Sequence, residues 1–153
     1  MREIKITDLK PGMVNDVEVL LPNNNSVYEE RYFEWNESTL ISSFKSSDIS
    51  GGILNCWKHQ PLFVEAETHI DNEIFYFISG TAIMLFVDYN DGKPNMETIQ
   101  ITRIQPGTQI IISKNKGHFV PVAEGDCPVK IIVVSPKMEA PRKGLIEPVL
   151  GVE

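Results

Sequence analysis

Apolar residues in this 153-residue chain alternate with polar ones over short runs, and the three-to-four-residue recurrence of an amphipathic helix is almost absent. The runs predict ten strands, at 17–21, 31–35, 53–58, 63–68, 73–78, 81–88, 98–104, 109–113, 118–122 and 129–135, most of them rich in β-branched or aromatic residues. Only 38–47 competes as a helix, so helical turns should be few and short. Turn-forming residues separate the runs: Pro22-Asn23-Asn24-Asn25, Ser50-Gly51-Gly52, Ser79-Gly80, Asn90-Asp91-Gly92-Lys93-Pro94, Gln105-Pro106-Gly107, Lys114-Asn115-Lys116-Gly117 and Glu124-Gly125-Asp126. Gly, Asn and Asp tolerate the positive φ of tight turns, and Pro sets their entry. Strands and turns at this spacing predict an all-β, antiparallel sandwich or barrel. The segment 137–153 changes character, because Pro136 ends the last run and Pro141, Gly144 and Pro148 interrupt any regular element beyond it. It is expected as an extended tail that packs Leu145, Ile146, Val149, Leu150 and Val152 over the sandwich or a neighbouring subunit.

Length supports one domain, 1–153, with a core large enough to need no disulfide framework. Fourteen Lys and Arg against twenty-one Asp and Glu leave a net charge of −7, without the basic cluster that nucleic acid or an anionic membrane surface requires. No run approaches the roughly 20 apolar residues that span a bilayer, and Met1-Arg2-Glu3-Ile4-Lys5 lacks the apolar core of a signal peptide. A cytoplasmic location is the expectation. Cys56 and Cys127 lie far apart with neither redox nor zinc-finger spacing, and both read as buried thiols.

Candidate chemistry concentrates between Glu65 and Gly80. On a strand that continues through His69, the side chains of Glu65, Glu67 and His69 share one face. Inside a sandwich such a row must be paired, neutralised or bound to a cation. A later histidine, His118, comes after the turn 114–117 and opens an apolar run. A histidine at a strand start is ordinarily half exposed or simply hydrogen-bonded. Phe75, Tyr76 and Phe77 read as packing residues, although aromatics also line barrel mouths, which makes Phe75 a candidate for substrate contact. Trp57 reads as core, Lys114 and Lys116 as solvated, and His59 as a loop residue or a substrate contact. For a carboxylate ligand, Lys58 and Lys130 are the first cations to test, since Lys130 interrupts the apolar run at 129–134.

These residues resemble the two motifs of the cupin superfamily, G-x5-H-x-H-x3,4-E-x6-G and G-x5-P-x-G-x2-H-x3-N. His69, Glu73 and Gly80 keep the first spacing, with Glu67 in place of its first histidine and Pro61 in place of its opening glycine. Gly107 and His118 keep the second, with Ser113, Asn115 and Val122 replacing its proline, middle glycine and final asparagine. The resemblance spans roughly 52–135 and implies a jelly-roll fold. It further implies that His69, Glu73 and His118 are metal ligands with Glu67 as the fourth, for Mn, Fe, Ni or Zn. Glu65 and Glu67 are then the candidate catalytic proton-transfer groups. The Glu67-Thr68-His69 triplet and the run from Asp91 to Thr98 are similar to ureidoglycolate lyases, which place a tryptophan where Gly117 stands here. The resemblance implies a metal-dependent lyase, isomerase or hydrolase acting on a small polar substrate, and a homodimer. A metal-free small-molecule binder or sensor is the alternative.

Overall fold

A computed structural model describes residues 1–22 and 26–153, so the turn expected at Pro22-Asn23-Asn24-Asn25 lies, beyond Pro22, outside the described residues. In chain order the strands are β1 (Arg2–Asp8), β2 (Val17–Leu20), β3 (Ser26–Glu30), β4 (Phe33–Glu37), β5 (Ile49–Cys56), β6 (Leu62–Glu67), β7 (Glu73–Ser79), β8 (Ala82–Asn90), β9 (Lys93–Ile104), β10 (Gln109–Ile112), β11 (Gly117–His118), β12 (Val122–Ala123), β13 (Val129–Pro136) and β14 (Arg142–Val152). The described residues contain no helix.

Two sheets form the body. One has the order β11-β6-β14-β1-β9-β8-β12, and because β11 bonds to both β6 and β8 it closes into a barrel. The other is an antiparallel sheet ordered β2-β10-β7-β13-β5. β8 is shared by both cores. Its Ala82, Met84 and Phe86 pack with Phe75, Phe77, Ile110 and Ile131 of the five-stranded sheet. The alternate residues Ile83, Leu85 and Val87 pack inside the barrel with Phe63, Ile101 and Val149. Burial of both faces explains why this strand is an unbroken apolar run.

The β8–β9 hairpin shows turn chemistry at work. Asn90 pairs with Lys93, which leaves Asp91 and Gly92 as a two-residue loop at φ 50 and 74, both in the left-handed region that such a loop demands.

Several expectations are corrected. The segment 38–47 is irregular, because its backbone is taken by a neighbouring loop: Asp71 Oδ2 accepts the N–H of Lys45 at 2.8 Å and of Ser46 at 3.4 Å, and Asn72 Nδ2 donates to the Ser43 carbonyl at 3.3 Å. The tail does not lie over the sandwich. Residues from Arg142 onward form β14 within the barrel sheet, parallel to β1 and antiparallel to β6, with a bulge between Gly144 and Val149 that accommodates Pro148. β1 is parallel to β9 as well, so the barrel is not wholly antiparallel. The expected strand at 31–35 is shifted, with Arg31 and Tyr32 forming the turn between β3 and β4. Trp57 is 68% exposed, since it follows β5 at the sheet edge. Of the two thiols only Cys56 is buried, packed in the inter-sheet core.

Candidate metal centre

The candidate residues meet at one end of the molecule, where β6 and β11 of the barrel face β7 of the second sheet. Glu67 ends β6 and is the cross-strand partner of His118 on β11, so one pairing register brings this acid and this imidazole together. Glu73 opens β7, and His69 lies in the link between β6 and β7. The strand thus stops before His69, and a backbone contact positions it instead: the Asn115 N–H donates to the His69 carbonyl at 2.8 Å. Asn115 takes φ 65, the left-handed geometry for which Asn is the closest substitute for glycine.

His69 Nε2 lies 3.6 Å from Glu67 Oε1 and 3.2 Å from Glu73 Oε2. His118 Nε2 lies 3.7 Å from Glu67 Oε1 and 3.0 Å from Glu73 Oε2. The ligand atoms of Glu67, His69 and His118 all fall within 4.8 Å of one another. The two rings are tilted, with centroids 5.2 Å apart, and Phe75 meets the His118 ring edge-on at 6.1 Å. Both histidines and Glu73 are buried.

The far side of each ring is occupied. His69 Nδ1 lies 3.0 Å from the Glu139 carbonyl and His118 Nδ1 lies 3.0 Å from the Lys116 carbonyl. A carbonyl only accepts, so each Nδ1 carries a proton, and in the neutral ring Nε2 presents a lone pair. His69 Nε2, His118 Nε2 and Glu73 Oε2 are all buried without a hydrogen-bond partner, close to one another but not aligned to bond. Buried polar atoms are ordinarily satisfied. Three of them converging in one place, with both rings oriented by main-chain carbonyls, fit a cation bound by two imidazoles and one or two carboxylates.

The four side chains also act on one another electrostatically. Burial pushes the Glu67 carboxyl up, but the adjacent His69 imidazole and the charges of His118 and Arg142 bring it below the usual carboxylate range. Burial pushes the His69 imidazole down, but Glu67, Glu73 and the Glu139 carbonyl raise it above its ordinary value. A proton and a cation therefore compete for His69 Nε2.

A cavity of about 360 Å³ opens on this cluster at His69 and Glu73, with Val133, Ser135, Lys137 and Met138 around it. Part of its wall is bare backbone, because a Cβ on Gly52 would meet nothing within 4 Å.

No family model and no curated protein matches the sequence. Solved structures do. RmlC from Streptococcus suis in complex with dTDP-D-xylose is 13% identical, with a TM-score of 0.51, covering 88% of this chain and 72% of that one. RmlC from Legionella pneumophila, a dTDP-6-deoxy-D-glucose-3,5-epimerase, is 11% identical with a TM-score of 0.51, covering 84% and 71%. The chain has the RmlC-like cupin jelly-roll fold. Bacillus subtilis oxalate decarboxylase is also similar at 21% identity, but its TM-score is 0.46 and the match covers 64% of this chain and 24% of that one. The chain therefore spans about a quarter of that protein's length.

Within the cupin fold the remaining candidates separate. Glu65 takes another partner, its Oε1 lying 3.2 Å from Arg142 Nη1, and is not part of the cluster. Lys58 is exposed, pairs with Asp126 at 3.2 Å, and with His59 lines a different cavity beside Ile83 and Glu153. Lys130 is exposed on the outer face of β13, because the inward positions of that strand are Val129 and Ile131. Strand alternation thus turns it away from the cluster. Phe75 is core that abuts His118, and the cavity lining does not include it.

Sequence reasoning missed Lys116, which is buried with an ion pair to Asp88 and whose carbonyl orients His118. It also missed Glu139 and Lys137, which reach the site from beyond Pro136. Gly117, at the position where ureidoglycolate lyases carry a tryptophan, is required by close packing. A Cβ there would lie 2.5 Å from Tyr89 Cε2 and 2.7 Å from the Val87 carbonyl oxygen. The run from Asp91 to Thr98, which suggested the same likeness, is accounted for by the β8–β9 hairpin.

Proposed function

We propose that Glu67, His69, Glu73 and His118 hold a divalent transition metal, Mn, Fe, Ni or Zn, and that the protein is an enzyme of lyase, isomerase or hydrolase type. Its substrate is a small polar metabolite bearing a carboxylate. The observation that carries this reading is the convergence of the unpartnered His69 Nε2, His118 Nε2 and Glu73 Oε2 with the Glu67 carboxylate. Such a metal, when bound, supplies Lewis-acid polarisation of a substrate oxygen.

The chain's own residues supply the rest. The Glu139 and Lys116 carbonyls hold the imidazoles in one tautomer. Glu67 is the least buried of the four side chains and is the carboxylate placed to accept a proton. Lys137, exposed at the cavity rim, takes the carboxylate-binding role that the sequence suggested for Lys58 and Lys130. Gly52 leaves room for the ligand beside the strand.

A second reading, a metal-free binder, is favoured by one observation: the raised pKa of His69 lets an imidazolium satisfy Glu67 and Glu73 without a metal. Elemental analysis of the purified protein separates the two. Stoichiometric metal is expected, together with stabilisation on adding the cation of about 2.7 kcal/mol at a hundredfold excess over its dissociation constant, both lost in His118→Ala. No bound metal, with no thermal shift on adding Mn, Fe, Ni or Zn, would overturn the enzyme reading.

A further inference from the structure

The turn 114–117 touches both histidines of the metal centre. The Lys114 N–H donates to Asn72 Oδ1 at 3.0 Å and the Asn115 N–H to the His69 carbonyl at 2.8 Å, while the Lys116 carbonyl accepts from His118 Nδ1 at 3.0 Å. The strand that follows is short: β11 is Gly117 and His118 alone, paired with Val87 and Phe86 of β8. Gly117 has no side chain to hold it, and a glycine backbone turns more freely than any other. Main-chain pairing by itself therefore holds the Lys116 carbonyl only weakly.

One step beyond Gly117 and Val87, the antiparallel register sets Lys116 opposite Asp88, and there side chains take over from the ladder. Lys116 Nζ is ion-paired with Asp88 Oδ1, the lysine side chain being 2% exposed and the aspartate 27%. Asp88 is itself aimed. β8 bulges against β9 between Phe86 and Asp88, the Asp88 N–H donates to Thr98 Oγ1 at 2.9 Å, and that hydroxyl donates to the Asn95 carbonyl at 2.8 Å. Bulges commonly re-aim a side chain beside a functional site. Burying an ammonium is costly, and an apolar pair of similar size would stabilise a fold as well or better. What an apolar pair lacks is direction, since a charged hydrogen bond fixes the lysine, and through it the turn, at one point of β8.

We infer that the Lys116–Asp88 ion pair makes Lys116 a positioning residue for the metal centre proposed above: by fixing the Lys116 carbonyl it holds His118 with its proton on Nδ1 and its lone pair on Nε2. Without that carbonyl, Nδ1 loses its acceptor and the proton of the neutral ring moves to Nε2, where Glu73 Oε2 at 3.0 Å accepts it and the lone pair is lost to a cation. His69 is set separately, because its Nδ1 takes the Glu139 carbonyl from the link between β13 and β14. Ligation rests on the centre being a metal site, whereas the tautomer is a property of the metal-free chain.

The variant Lys116→Met/Asp88→Asn removes both charges at similar volume and leaves no lone ion behind. Nitrogen NMR of the metal-free protein at about pH 9, where an ordinary imidazole is neutral, reads the tautomer of each ring. The parent should show the Nδ1–H form at His69 and His118. In the variant His118 is expected to move at least in part to Nε2–H while His69 keeps its form, with an unchanged circular dichroism spectrum, and chelator competition should show metal affinity about tenfold or more weaker. If the double variant does not fold, Asp88→Asn alone, which leaves the turn's own sequence intact, is expected to change His118 in the same direction and takes its place in the test. A His118 tautomer that stays unchanged, or one lost equally at both histidines, overturns the positioning role, and so does equal metal affinity in parent and variant. A parent that binds no metal overturns the metal centre instead, and the tautomer then decides the positioning role alone.

Discussion

What distinguishes the two buried histidines is the division of labour between their ring nitrogens. Each Nδ1 is held by a main-chain carbonyl while each Nε2 points at two carboxylates. Glu67 stands where the cupin motif has another imidazole, so Glu67→His should retain or tighten metal binding, measured by competition with a chelator. A tenfold or greater weakening would remove Glu67 from the ligand set. The thiols give a separate check on packing. Burial pushes Cys56 up to about 11, and Cys127 is exposed. A thiol reagent at pH 8 should therefore titrate one thiol in the folded protein and two after denaturation. Residue identity made three members of the candidate cluster legible, because His69, Glu73 and His118 keep a recognisable spacing. It did not make exposure legible. Trp57 and Lys116 are each the reverse of what their chemistry suggests, one at a sheet edge and the other beside Asp88 in the interior.

At the scale of elements, the turn before β7 organises its surroundings through Asp71. Burial pushes this carboxyl up, but the N–H groups of Asn72, Lys45 and Ser46 and the Lys45 charge leave it below the usual carboxylate range. A folded-state pKa below the unfolded value means that the stabilisation is full above about pH 4 and is lost as pH falls through the lower, folded value. Asp71→Asn should accordingly lower the denaturation midpoint at neutral pH. Its difference from the parent should shrink in acid, as measured by urea titrations across that range. A pH-independent difference would assign the effect to packing alone. The same contacts show why 38–47 is not a helix: the competing hydrogen-bond acceptors lie 26 residues away in the chain, beyond the reach of any local pattern. Strands 81–88 and 109–113 were legible because turn residues bound them closely; β3 and β14 were not, the first being polar on one face and the second interrupted by Gly144 and Pro148.

For the whole molecule, β14 decides more than its sequence suggests. It fills the barrel sheet between β1 and β6, and the chain leading into it supplies the Glu139 carbonyl to His69. Ending the chain at Lys137 should abolish cooperative thermal unfolding and metal binding together, because it opens the sheet at two pairings and removes that acceptor. A truncated chain that still melts cooperatively and binds metal would make the strand dispensable. The sequence by itself determined the all-β class, most of the turns among the described residues and the spacing of three candidate ligands, since alternation, positive-φ turn chemistry and ligand spacing are local properties written in consecutive residues; Ser50-Gly51-Gly52, expected as a turn, lies instead inside β5. Tertiary structure alone decided that β1 and β14 join the barrel in parallel, that Glu67 faces His118 while Glu65 pairs with Arg142, and that Lys58 and Lys130 point elsewhere. Those outcomes depend on strand register and on which face each strand turns inward, and both are set by partners distant in the chain.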